Sequence, residues 1–267
     1  SMQLKGSKCF LLHEKLEVLG YYVTPDGIVM QDAKLTELRN RGPPTSVEEI
    51  RTFLGTVQFY RRFIPRIALL SAPMNKLLKK DCSPQPDDWE AVRESFDAIM
   101  TFLRSDAVVS APDLTDPLAE YVICTDACDI AAGGVLMQWQ HPSGRGPGPP
   151  AGVPTRGGGP GSDPINNSWR PAAGWKLRTI AYYSKTFDNA QKNYPTFDKE
   201  SAAILFCVRR WAKIITCRPT TLYTDSSVAA SMLYKHLGPP RLQRWGMELG
   251  TFLPYLKIGF RRGSDNG

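Results

Sequence analysis

An α/β fold built on a mixed five-stranded sheet, with helices against it and a smaller helical unit before it, follows from three features of the sequence. The run Tyr121 to Asp126, Y-V-I-C-T-D, is too short for a helix and apolar enough for a strand buried on both faces. Thr220 to Asp225, T-T-L-Y-T-D, repeats the pattern, so two strands end on Thr-Asp. Between them Phe197, Ile204, Val208 and Trp211 recur at helical spacing and form the inward stripe of an amphipathic helix. In open α/β sheets the carboxyl ends of neighbouring strands are where ligands bind, so the two aspartates predict one site.

The elements follow in chain order. Residues 9 to 30 read as a hairpin, with Leu16 to Val23 as one strand and Pro25-Asp26-Gly27 turning into Ile28 to Met30. Pro43-Pro44 leads into a helix opened by a capping box, Ser46 with Glu49. Its face runs through Ile50, Leu54, Val57, Arg61 and Ile64 to Pro65. A further helix is expected from Trp89 to Leu103, and Pro112 and Pro117 bracket a linker. The divisions predicted are 1–40, 41–110 and 111–267.

The third division reads as strands 118–126, 132–139 and 178–184, helix 194–213, strand 220–225, helices 226–235 and 241–252, and strand 255–261. From His141 to Gly174 there are nine Gly and eight Pro in 34 residues, so half the segment holds neither helix nor ladder. A disordered surface insertion is expected there, with a partner-binding role as the other reading.

Composition removes several function classes. The 267 residues suffice for about two domains by the usual prior of ~150 each, and 42% apolar content can fill both cores. The six cysteines include no C-x-x-C and no second pair at zinc spacing, so they read as reduced, intracellular and mostly buried. Three scattered histidines give a Ser-His-Asp or Cys-His mechanism nothing to stand on, and the glycines at 157–161 sit among prolines rather than in a phosphate loop. The longest strongly apolar run, Ala202 to Val208, is seven residues, against the ~20 of a membrane span. A net charge of +7 favours an anionic partner, nucleic acid before membrane.

Glu200 lies on the inward helix stripe, where an unpaired carboxylate costs several kcal/mol as an order of magnitude. Any one of Asp126, Glu200 and Asp225 could be an ordinary turn or first-turn residue. Together they would repel one another, and a hard divalent cation with oxygen ligands resolves that repulsion. From Tyr60 to Lys80 there are six basic residues, Arg61, Arg62, Arg66, Lys76, Lys79 and Lys80, and no acid. Such a run is a solvated face unless the fold sets nucleic acid beside it, in which case it tracks phosphates.

The run Thr125 to Leu136, T-D-A-C-D-I-A-A-G-G-V-L, resembles the opening of the ribonuclease H domain in gypsy-type LTR retrotransposon polyproteins. Ile180 to Ser184, Asn193-Tyr194, Lys199-Glu200, Thr224-Asp225 and Arg241 to Trp245 follow in that family's order, and Leu19-Gly20-Tyr21, Phe53-Leu54-Gly55 and Tyr60 to Ile64 are similar to the end of a reverse transcriptase palm and its thumb. The resemblance covers nearly the whole chain apart from the insertion. It implies a ribonuclease H-like sheet after a palm hairpin that grips the primer end and a helical thumb, with the polymerase aspartates lying upstream of the sequence. It also implies hydrolysis of the RNA strand of an RNA/DNA hybrid by two Mg²⁺ ions about 4 Å apart, with Mn²⁺ as a substitute.

On that resemblance Asp126 would bridge both ions, Glu200 would hold one and help position phosphate or water, and Asp225 would complete the other's shell. The partners implied are hybrid or template-primer duplex and the rest of the reverse transcriptase, its fingers and palm, with no membrane. The implied location is a cytoplasmic particle or the nucleus. Cys128 stands where the family has Ser, Ala131 where it has Gly, and Ser226 follows Asp225 where it has His. The family's fourth carboxylate comes after the asparagine matched by Asn266, and Asp265 precedes it, so the fourth ligand is expected outside the sequence. The competing reading is a non-catalytic thumb-and-connection module, host-domesticated, that holds hybrid without cutting it.

Overall fold

The computed structural model describes residues 13–25, 27–80, 82–104, 109–116, 119–141, 175–227, 229, 239–252 and 254–260. The Gly/Pro-rich segment 142–174, most of the helix expected at 226–235, and Asp265 with Asn266 lie outside the described residues.

The chain first forms an antiparallel meander, β1 (Leu16–Val18), β2 (Tyr21–Thr24) and β3 (Gly27–Met30). The single strand expected over Leu16 to Val23 is split, because Leu19 and Gly20 take φ 50 and 82 and reverse the chain in a two-residue turn. Positive φ at both central positions matches the twist of a hairpin. The reversal brings Tyr21 onto the end of the second helix (Val47–Tyr60), where its ring stacks on Phe59 at 4.6 Å and its hydroxyl donates to the Phe59 carbonyl at 2.6 Å.

After α1 (Asp32–Arg41), Gly42 at φ 73 turns the chain into α2 (Val47–Tyr60). Ser46 Oγ accepts the Glu49 amide at 3.2 Å, as a capping box requires, while the Glu49 carboxylate reaches back to the Thr45 amide at 2.7 Å. The helix stops at Tyr60 rather than running to Pro65, and a 3₁₀ turn follows over Arg61–Phe63. Proline restricts the residue before it and supplies no N–H, so the chain tightens ahead of it. Two short helices, α3 (Ile67–Leu70) and α4 (Ala72–Leu77), lead to α5 (Pro86–Arg104). Ile50, Phe53, Val57, Met74, Phe96 and Ile99 meet in one core that also takes in Met30 of the meander.

The second core surrounds a sheet of β4 (Tyr121–Ala127), β5 (Ala131–Gln140), β6 (Lys176–Thr186), β7 (Thr220–Thr224) and β8 (Leu256–Phe260), in the order β6-β5-β4-β7-β8. The first three are antiparallel neighbours; β7 joins β4, and β8 joins β7, in parallel. A single turn, α6 (Asn189–Lys192), precedes the long α7 (Thr196–Ile215), and α8 (Pro240–Gly250) comes before the last strand. Helix α7 lays Ile204, Val208 and Trp211 against Tyr121, Ile123 and Leu222. Its approach requires glycine at 134, where a Cβ would lie 2.5 Å from the Cys124 carbonyl oxygen and 2.8 Å from Cys207 Sγ.

The stretch between the cores is fastened at successive residues. Ile28 and Val109 exchange amide bonds, and the Ser110 amide reaches the Thr179 carbonyl at 2.7 Å. The buried Gln138 side chain bonds both the amide and the carbonyl of Asp113, while Arg218 donates to the carbonyls of Leu114 and Asp116. Among the described residues no helix is long and apolar enough to cross a membrane.

Candidate metal centre and the arginines beside it

Each of the three acids is positioned by a different element. Asp126 pairs with Gly133 in the β4–β5 ladder, which runs on to Ala127, so the strand does not leave the sheet at this residue as expected. What ends is the other ladder: pairing of β4 with β7 stops at Cys124 and Tyr223, which opens the sheet beside Asp126. The buried Thr125 bridges that opening by donating its hydroxyl to the Tyr223 carbonyl at 3.3 Å. Asp225 enters the gap directly after β7. Its turn is fixed on both sides, since the buried Thr224 accepts the Ser226 amide and Ser226 Oγ accepts the Ala229 amide at 3.1 Å. The doubled Thr-Asp therefore has one physical role in both places, a buried threonine holding a backbone so that the next carboxylate faces the gap.

The third acid comes from the first turn of α7, where Asp198, Lys199 and Glu200 are buried in succession. Asp198 pairs with Arg241 of α8 at 2.6 Å, and Lys199 reaches Asp129 in the β4–β5 turn at 2.8 Å. These two bonds lock the helix start and leave Glu200 aimed at the opening. One carboxylate oxygen from each of Asp126, Glu200 and Asp225 lies within 4.8 Å of the others.

Burial pushes the Glu200 carboxyl up to about 8, with Asp225 and then Asp126 adding repulsion, while a hydrogen bond from the Ala127 amide opposes them. Asp225 is also raised, first by burial and then by Asp126. Glu200 Oε2 is buried without a hydrogen-bond partner. Three crowded carboxylates with an orphaned oxygen have the donor chemistry of a hard divalent cation site.

The six basic residues do not form one track. Arg61 and Arg62 are half-buried and donate to the carbonyls of Ser184 and Ile180 at 3.1 and 3.3 Å. The physical reason lies in β6, an edge strand whose outward carbonyls need donors. Ile180 also sits at a register shift between Ala181 and Thr179, which frees its carbonyl from the ladder. Arg66 instead reaches Asp126 Oδ2 at 3.1 Å, and Lys76 pairs with Asp88 at 2.7 Å. Lys79 and Lys80 are exposed just beyond α4.

Ser184 is the residue that sequence reasoning left without a role. It closes the I-A-Y-Y-S motif, and its buried hydroxyl accepts the Ala68 amide. Between the two units a cavity of about 630 Å³ is lined by Pro65, Arg66 and Leu69 on one side and by Asp126, Met137 and Tyr182 on the other.

Residues 166–252 match the RNase H-like domain found in reverse transcriptase. The whole chain is 26% identical over 266 residues to the Retrovirus-related Pol polyprotein from transposon 297 of Drosophila melanogaster, covering 21% of that protein. It is 27% identical over 269 residues to the Transposon Tf2-3 polyprotein of Schizosaccharomyces pombe, covering 98% of this chain and 17% of that one. The chain thus spans about a fifth of the length of the curated relatives it matches. Among solved structures, the foamy viral protease-reverse transcriptase in complex with RNA/DNA hybrid shares the fold over 96% of this chain and 30% of its own, with TM-score 0.66 at 14% identity. The foamy viral protease-reverse transcriptase in complex with dsDNA gives TM-score 0.64 at 15% identity, over 96% of this chain and 47% of its own. With the mixed sheet, the helices packed on it and Pol relatives along its length, the chain is similar to the ribonuclease H region of retrotransposon Pol polyproteins.

Proposed function

We propose that the site hydrolyses the RNA strand of an RNA/DNA hybrid with divalent metal held by Asp126, Glu200 and Asp225. The observation that carries this reading is the buried, unpartnered Glu200 Oε2 inside a three-carboxylate cluster. A module that only bound hybrid would have no use for that arrangement, which costs stability wherever a cation does not offset it. Mg²⁺, or Mn²⁺ in its place, would neutralise phosphate charge and lower the pKa of a water for attack. The chain's own part is to hold three carboxylates from β4, α7 and the β7 turn in one opening, with the buried Thr125 and Thr224 keeping that geometry rigid.

On the same reading residues 1–40 are the end of a palm, 41–110 a thumb and 111–267 the ribonuclease H domain, working beside the fingers and palm of a longer polyprotein. A template-primer or hybrid duplex would run past the opening and along Lys79 and Lys80, whose ammonium groups are exposed to phosphates. Preference for hybrid over DNA would come from groove shape and 2′-hydroxyl contacts.

The test is cleavage of an end-labelled hybrid in Mg²⁺ by the parent chain and by Asp126→Asn. The variant should bind hybrid and retain less than about one per cent of the rate, the loss expected when a metal-bridging carboxylate goes. A variant that cleaves at the parent rate would sink the reading.

A further inference from the structure

We propose that Arg66 is a positioning residue through which the helical unit acts on the nuclease site, its guanidinium exchanging Asp126 for a phosphate of the bound strand when metal occupies the carboxylates. The proposal rests on the metal-site reading above. Four observations support it.

Arg66 has φ 50 and ψ 29, a left-handed conformation that costs a side-chain-bearing residue about 1–2 kcal/mol. Such strain persists only where the surroundings over-determine it. Here the flanks are pinned to one strand: Arg61 donates to the Ser184 carbonyl before it, and the Ala68 amide donates to Ser184 Oγ after it. The turn is therefore held against β6 while its one long cation projects across the cavity toward β4.

The target is the second observation. Among the carboxylates of the described residues, the guanidinium meets Asp126, a member of the three-acid cluster, at 3.1 Å. Third, the contact is weak by construction: both side chains are about half exposed, at 63% and 45%, and pairs of that kind are worth little. A cation that neutralises Asp126 removes the attraction holding the arginine there. Fourth, a guanidinium presents five donors in a fork that fits phosphate oxygens as well as a carboxylate, and Arg66 lines the cavity beside the site. Phosphate is the anion that a nucleic acid brings to that position. The other two arginines of the run lack this freedom, because their guanidiniums are half-buried against β6.

The experiment uses the full chain and its Arg66→Gln and Arg66→Lys variants. Calorimetric titration with Mn²⁺ alone should give Arg66→Gln a two- to fivefold tighter site, roughly the worth of the exposed ion pair that no longer competes. Binding to hybrid in Ca²⁺ across a salt series should then show the reverse: weaker binding, and a log–log salt slope shallower by about one phosphate contact. Arg66→Lys should restore the slope. Mn²⁺ affinity unchanged or lowered in Arg66→Gln would overturn the exchange, and so would an unchanged salt slope. Asp126→Asn serves as the separate control: parental Mn²⁺ affinity in that variant would sink the metal-site reading itself, whatever Arg66 does.

Discussion

Ser184 Oγ accepts the amide of Ala68 at 2.8 Å, so a hydroxyl on the edge strand of the sheet caps a helix of the other unit. The first amides of a helix have no partner within it, and here α3 borrows one from 116 residues away. Ser184→Ala should leave that buried amide unpaired at a cost of about 1–3 kcal/mol. Urea denaturation should show the loss, and Ser184→Thr, which keeps the hydroxyl, should recover part of it. Equal midpoints for Ser184→Ala and the parent would show that the cap carries no stability.

Gly134→Ala should be among the most damaging single changes in the sheet. The new Cβ would meet the Cys124 carbonyl oxygen at 2.5 Å and Cys207 Sγ at 2.8 Å. Overpacking a filled core costs about 1–3 kcal/mol or more. Because the closer clash is with backbone fixed in the β4–β5 ladder, adding Cys207→Ala should not rescue folding. Full recovery by that second substitution would show that the helix, and not the strand, sets the limit.

The Glu200 carboxyl predicts how stability varies with pH in the absence of metal. Its folded value near 8 stands above the ordinary 4.5, so its contribution is complete below the ordinary value and is lost as pH rises toward 8. Asp225 is raised as well and acts in the same direction. In EDTA the melting temperature should therefore fall between about pH 5 and pH 8, by an amount equivalent to a few kcal/mol at most. Glu200→Gln should flatten that fall and melt higher than the parent at pH 8. Mg²⁺ should stabilise the parent at pH 8 and leave the variant little changed. A parent that melts at one temperature across the range would contradict the crowding.

Two pairs of basic residues should separate stability from binding. Arg61→Ala with Arg62→Ala removes donors from two β6 carbonyls and should lower the melting temperature by several degrees, since bonds from charged donors are worth about 1.5–3 kcal/mol each. Lys79→Ala with Lys80→Ala should leave melting unchanged and weaken hybrid binding. The opposite pattern would return Arg61 and Arg62 to the phosphate track.

The sheet was legible because its strands carry their own signals: Tyr121 to Asp126 and Thr220 to Asp225 are short runs of strand-forming residues that reach a carboxylate, and they hold most of β4 and all of β7. Glu200 was legible for a related reason, since Phe197, Ile204 and Val208 fix the inward face on which it must lie. Short elements were not. The helices Ile67–Leu70 and Ala72–Leu77 are one or two turns long, too brief to show a period, and docking onto β6 and α5 stabilises them rather than propensity. The break at Leu19-Gly20 was hidden because leucine rarely takes positive φ, and the stacking of Tyr21 on Phe59 that accompanies it is a tertiary contact. The destination of Arg61 and Arg62 could not be read locally, because their acceptors lie 123 and 118 residues further on.

The fastened stretch from Val109 to Asp116 has a mechanical consequence. A connector that bonds the meander, β5, β6 and the turn before β7 in quick succession has no slack to take up, so it behaves as a strut rather than a tether. A duplex gripped at the helical end would be presented to the carboxylates at a set spacing along its axis. On the proposed function the two units would act as a gauge, and the place where a strand met Asp126 would be counted out from wherever the other end was held.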